Sequence, residues 1–451
     1  MEPFHYHVFV CDQQKPEGVP CCSARGSARV IDALRAEIAR QGLSDDVQVT
    51  VCGSIGLCEH GPNMIVYPEG FWYSGVSPAD VAEIVRSHFG NGQPVERLIK
   101  TDPAALRAEV VGNRDKMLAA RRAAEAAGVL PDDLNDRIRG FMESRVVLTA
   151  LELDLFNAAG AGASAGEVAA RLGTDPRATE ALLDAVASLG LLAKQDGVFR
   201  NTPVAARYFT SGSKDDSRLA LLHSANLWKR WSHLTDCVRS GKPAPRQEAA
   251  GGADWTESFI AAMHRNAAAR SAPVARAAGA ESAGRMLDVG GGSGAYSIAF
   301  AQANKAMRVD VLDLAPVKPI TERHIREAGL EDRIHFRIGD LRKDPLGSGY
   351  DLVFISAICH MLGPEENRDL LRRAHAALAP GGRVAIQDFI LEPDKTAPRF
   401  AALFALNMLV GTESGSSYSE PEYAAWLEDA GFREIRRVRM PGPAGLMIAV
   451  K

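Results

Sequence analysis

The stretch MLDVGGGSGAYS, residues 286–297, constrains the fold of this chain more than any other: an apolar run ends in an acid, glycines follow, and a helix-forming run begins. A strand that turns into a helix within so few residues needs the backbone freedom of Gly290, Gly292 and Gly294. The same glycines let a ligand approach the main chain closely. From about residue 246 to the end, strands and helices alternate, with strands at RMLDVG, RVDVLDL, RIHFRIG, YDLVFIS and RVAIQDFIL and a terminal pair near REIRRVRM and GLMIAV. Near-continuous apolar strands alternating with helices predict an α/β fold built on a doubly wound parallel sheet. Ligands of such sheets bind at the carboxyl ends of the strands.

The chemistry-bearing residues fall at those ends. Asp288 closes the first strand; Asp313 closes the second, where a carboxylate accepts hydrogen bonds from ribose hydroxyls; Gly339 and Asp340 close the third, where a carboxylate meets an adenine amino group. The run GGGSGA also satisfies a loose dinucleotide fingerprint, so a nicotinamide cofactor stands as an alternative on these residues alone. The fourth strand leads into ICHML, which sets His360 at the sheet edge. A neutral imidazole there can accept a proton at physiological pH; the plainer reading is a loop histidine with a structural hydrogen bond.

Upstream, residues 131–245 read as helical, with a helix–turn–helix followed by a hairpin at Asp196–Gly197, the winged-helix pattern. A DNA reader needs basic side chains on the second helix, yet DPRATEALLDAVASLG carries acids and alanines. Packing or dimerisation is therefore the expected role. Residues 96–130 are charged and alanine-rich and read as a helical linker, whereas 1–95 alternate strands and helices as a small α/β domain. Net charge is −4 without a basic tract, which argues against a nucleic-acid partner. No apolar run is long enough for a bilayer and no signal core opens the chain. Seven cysteines, clustered at one end, do not form a secreted disulfide framework, so a reduced cytoplasmic setting is expected.

Taken together, the motifs from about residue 131 onward resemble the class I S-adenosylmethionine-dependent O-methyltransferases that carry a helical dimerisation domain, the acetylserotonin, caffeate and hydroxyneurosporene type. The resemblance implies a Rossmann-like catalytic domain over 246–451 and a homodimer. It implies that Gly290, Gly292 and Gly294 pass under the methionine part of the cofactor, with Asp288 near its amino group. Asp313, with Leu314 beside it, would hold the ribose, and Asp340 and Leu341 would frame the adenine. It further implies His360 as the catalytic base, supported by the acidic residue after the fifth strand, Asp388. Two departures stand out. Met361 follows the histidine where plant members have an aspartate, and no acid occupies the position near Ser417 where a second supporting glutamate is found. The family lines its acceptor pocket from segments holding Trp231, Phe259, Met263, Asn407 and Met408, which makes a small, flat, partly apolar acceptor the expectation.

The first domain raises a separate question, because five of seven cysteines lie in the first 58 residues. Thiolates bind soft iron well, and iron–sulfur clusters take four cysteine ligands. HVFVC, CCSARG, LCEHGPNMIVYPEGFWYSGV and DVAEIVRSHF resemble the thioredoxin-like [2Fe-2S] ferredoxins across residues 5–90. That resemblance implies ligation by Cys11 and Cys22, with Cys58 in a second pair. The other member of that pair falls on Ser54, two residues after Cys52; the softer thiolate makes Cys52 the expected ligand, with a Ser54 oxygen, the adjacent Cys21 or an altered or lost cluster as alternatives. Zinc on the same thiolates is the alternative. The expected protein is thus an S-adenosylmethionine-dependent methyltransferase with an appended [2Fe-2S] domain and, through it, an electron-transfer partner. The rival reading keeps the cofactor but couples it to dehalogenation, decarboxylation or hydroxylation.

Overall fold

A computed structural model describes residues 3–15, 19–245, 260, 263–264, 267 and 270–451. The chain divides into two compact units, residues 1–141 and 142–451.

The first unit is built on a four-stranded sheet in the order β2-β1-β3-β4, from β1 (Tyr6–Cys11), β2 (Val47–Cys52), β3 (Asn63–Tyr67) and β4 (Phe71–Ser74). β1 and β2 run parallel because the helix Ser27–Arg40 carries the chain back between them, whereas β3 and β4 add antiparallel. That helix buries Val30, Ile31, Leu34 and Ile38, a three-to-four spacing that lays one face on the sheet. The closing helix starts at Val81, after a turn in which Ser77 donates both its N–H and its hydroxyl to Asp80. The helix Pro103–Ala126, read above as a linker, belongs to this unit: its Asn113 donates to the Gly56 carbonyl at 2.9 Å.

The second unit begins with the helical region. Ser164 and Glu167 form a capping box for the helix Ala165–Leu172, and Asp175 caps Pro176–Ser188. A small sheet of β5 (Ala163–Ser164), β6 (Leu192–Gln195) and β7 (Val198–Asn201) follows, with the expected hairpin turn at Asp196 and Gly197, both at positive φ. The seven-stranded sheet has the order β10-β9-β8-β11-β12-β14-β13, from β8 (Arg285–Val289), β9 (Arg308–Asp313), β10 (Ile334–Ile338), β11 (Tyr350–Ser356), β12 (Leu378–Asp388), β13 (Arg433–Arg439) and β14 (Gly445–Val450). Its strands are parallel except for β14, which is antiparallel to both neighbours. Strand order reverses between β8 and β11, so a crevice opens at their carboxyl ends. Two apolar clusters cover the sheet, one around Val353, Leu370, Tyr423 and Trp426, the other around Phe300, Val309 and Phe354. Among the described residues no helix is long and apolar enough to cross a membrane.

Candidate active site

Gly290, Gly292 and Gly294 turn the chain out of β8 at φ of 69°, 54° and 76°. A side chain at Gly290 would collide with Ile358. The turn is tied down by Asp313: its carboxylate accepts the Gly292 N–H at 2.8 Å and the Leu314 N–H at 2.7 Å. Asp288 lies beneath, fully buried, and accepts the Ser297 hydroxyl at 2.6 Å. Burial pushes its carboxyl up to about 7, and the nearby Asp313 adds to the effect. Leu341 reaches the same crevice beside Gly290. Asp340 closes its own turn, accepting from the Arg342 N–H at 3.0 Å, and Leu314 is half-exposed at the rim. The residues expected around a nucleoside cofactor thus converge on one crevice.

His360 stands across that crevice on the short turn Cys359–Met361. Asn367 holds the turn through the carbonyls of Cys359 and Leu362, and Tyr418 donates to Leu362 as well. The His360 ring is buried, and its Nδ1 lies 2.6 Å from Asp388 Oδ1 at the end of β12. An ionised carboxylate only accepts, so this bond places the imidazole proton on Nδ1 and leaves Nε2 with a free lone pair. Phe404 meets the ring edge-on at 4.9 Å, Phe389 stacks at 5.9 Å, and Phe400 packs on Phe389. Phe389 follows a strand and Phe400 opens a helix, with no motif in the sequence to mark either.

Trp231 and Asn407, far apart in sequence, join through an indole N–H to amide oxygen bond of 3.0 Å. Met408, next to Asn407 in the chain, is buried, and Met263 is half-exposed. Phe259 lies outside the described residues. His264 bonds Ser293 at 2.9 Å and stacks on His324 rather than facing His360. Met361 is exposed, and the Ser417 hydroxyl is buried with no partner among the described residues.

In the first unit the neighbouring Cys22 holds the Cys11 thiol below its ordinary range, at about 6, with smaller help from the backbone of Gln13 and Ile55. Asn63 bridges the loops, donating to Cys22 Sγ at 3.3 Å and to the Leu57 carbonyl at 2.7 Å. Beside Cys58 stands Ser54, with Oγ 3.2 Å from its sulfur. Cys52 ends β2 opposite Cys11, in register with it. Among the described residues no three His, Cys, Asp or Glu side chains converge as a metal site.

Comparison with known proteins places this arrangement. The O-methyltransferase domain family matches residues 231–433, and the O-methyltransferase dimerisation domain family matches residues 136–211. The 3-hydroxy-5-methyl-1-naphthoate 3-O-methyltransferase of Streptomyces sahachiroi is 36% identical over 330 residues, covering 71% of this chain and 95% of that protein. Acetylserotonin O-methyltransferase of Mus musculus is 32% identical over 70% of this chain and 88% of its own. The crystal structure of human N-acetylserotonin methyltransferase in complex with SAM superposes with a TM-score of 0.62 at 27% identity, covering 70% of this chain and 96% of that one.

Proposed function

This chain belongs to the S-adenosylmethionine-dependent O-methyltransferases, and we propose that it methylates a hydroxyl group on a small aromatic acceptor, with His360 as the base. The observation that carries the reading is the His360–Asp388 bond of 2.6 Å at the edge of the glycine-turn crevice. The cofactor supplies an electrophilic methyl group on sulfur. Asp288, the 290–294 turn, Asp313, Leu314, Asp340 and Leu341 would hold it, and the positive φ angles and the crowding at Gly290 suit a backbone pressed against a ligand. Nε2 of His360 takes the acceptor hydroxyl's proton while Asp388 keeps the other ring nitrogen protonated and stabilises the imidazolium that forms. Alignment of donor and acceptor does the rest. Phe389 and Phe404 give the acceptor apolar faces, and Trp231, Asn407, Met408 and Met263 extend them, a lining suited to a flat ring such as the naphthoate or acetylserotonin named for the relatives. The rival redox-coupled use of the cofactor has no observation in its favour.

The test is incubation with S-adenosylmethionine and two acceptors, 3-hydroxy-2-naphthoate and N-acetylserotonin, with mass spectrometry of products. S-adenosylhomocysteine and methyl ether should form in equal amounts, and His360→Ala should lower the rate by about 100-fold or more. Undiminished turnover in that variant would remove the base assignment.

For residues 1–95 the proposal is a thioredoxin-like domain holding a [2Fe-2S] cluster, with an electron-transfer partner, in a reducing cytoplasm. Its support is the sheet order and the sulfur pairs. A two-iron cluster takes two ligands per iron, so it asks for two pairs rather than one converging set. Cys11 and Cys22 would form one pair, with the Asn63 amide donating to Cys22 Sγ, and Cys58 would belong to the other. For the fourth ligand, softness favours Cys52 and geometry favours Ser54. Iron and sulfide per chain after anaerobic purification, in the parent and in Cys52→Ala and Ser54→Ala, separate these choices. An iron-free parent that still binds S-adenosylmethionine would end the cluster reading.

A further inference from the structure

Asp388 accepts more hydrogen bonds than a simple histidine–carboxylate pair requires. Its Oδ1 takes His360 Nδ1 and, at 2.8 Å, the Phe389 N–H; its Oδ2 takes the His360 N–H at 3.1 Å and the Tyr423 hydroxyl at 3.1 Å. Three of these donors belong to His360 itself or to the residue that follows Asp388. The fourth comes from the helix Glu420–Asp429, and its tyrosine ring is 1% exposed.

We propose that Tyr423 is the positioning residue of the His360–Asp388 pair, the group that fixes the carboxylate's rotamer and tempers its charge. This inference rests on the reading of His360 as the base. A buried phenylalanine would pack against Tyr418 and Trp426 as well as this ring does, so packing does not account for the hydroxyl. A buried hydroxyl must find a partner, and this one donates to Asp388. Burial and the adjacent Asp388 hold the phenol well above its ordinary range, so it remains a donor at every working pH. The second carboxylate looked for near Ser417 is absent; the charge that supports His360 is one aspartate, braced from the far side by a phenol.

The consequence is electrostatic. Each donor draws negative charge from the carboxylate. Removing one raises the proton affinity of the coupled pair, whichever atom carries the proton. Among the described residues the other titratable groups facing the pair are Cys359, held well above its usual range by burial, and Tyr418, pushed up to about 12. Glu366 and Glu422 act on Tyr418 from further out. From the helix Arg399–Gly411 the neighbour is the uncharged ring of Phe404.

The test needs no acceptor. The full-length protein carries 15N-labelled histidine, the His360 signals are assigned by their loss in His360→Gln, and they are followed against pH. Tyr423→Phe keeps the ring and should raise the His360 midpoint by about half a unit, the size expected for one hydrogen bond to a charged group shared over the pair. In an Asp388→Asn background the same change should shift nothing, because the group through which Tyr423 acts is then uncharged. An unmoved midpoint in Tyr423→Phe, or an equal shift in both backgrounds, overturns the inference. Undiminished methyl transfer by His360→Ala would instead defeat the underlying base reading, a result distinct from either titration.

Discussion

Asp288 is the residue whose chemistry depends most on whether the crevice is filled. Burial raises its carboxyl to about 7, and the proposed neighbour is the ammonium of the cofactor. A carboxyl raised on folding contributes stability below its unfolded value and loses it as pH climbs through about 7. This site therefore favours the empty fold at mildly acidic pH. Binding a cation beside it requires loss of that proton, so affinity for S-adenosylmethionine should rise with pH and level off above about 7. Calorimetry at pH 6 and 8 should show proton release at the lower value only, and Asp288→Asn should bind more weakly with no pH dependence. Asp388→Asn should reduce methyl transfer by about 100-fold or more, because an amide no longer selects the tautomer that frees Nε2.

At the scale of elements, the glycine turn and the His360 turn are mechanically linked, because the space that a side chain at Gly290 would take is filled by Ile358, two residues before His360. Gly290→Ala adds a left-handed backbone cost of about 1–2 kcal/mol to that clash. It should lower the melting temperature by several degrees and weaken cofactor binding about tenfold or more by calorimetry; unchanged binding would mean that the two turns are independent. The β8 turn and the ends of β9 and β10 were legible in the sequence because each strand end is marked locally, by glycines or by an acid closing an apolar run. Tyr423 was not legible. Its meaning comes from a helix 35 residues downstream of Asp388 folding back onto the end of β12, and nothing near Tyr423 in the chain announces an acidic partner. Ser54, by contrast, was marked by its spacing from Cys58, and the loop sets its hydroxyl 3.2 Å from that sulfur.

At the scale of the whole molecule, the Streptomyces sahachiroi relative is almost fully matched by 71% of this chain. The methyltransferase machinery therefore has a counterpart that does without a matched N-terminal unit. Deleting residues 1–130 should leave S-adenosylmethionine affinity within about twofold by calorimetry, whereas lost affinity would show that the first unit completes the site. Sedimentation should give twice the 48.4 kDa of the chain, as a dimerisation domain predicts. By itself the sequence determined the alternation of strands and helices, the glycine turn, and the identity of the acids and the histidine at the strand ends, because hydrophobic period and backbone freedom act over a few residues. Only the tertiary structure decided that the linker helix packs with the first unit, that the aromatic walls close around His360, and that Asp388 answers to Tyr423. Those outcomes depend on which surfaces bury one another across tens of residues, and no local pattern encodes them.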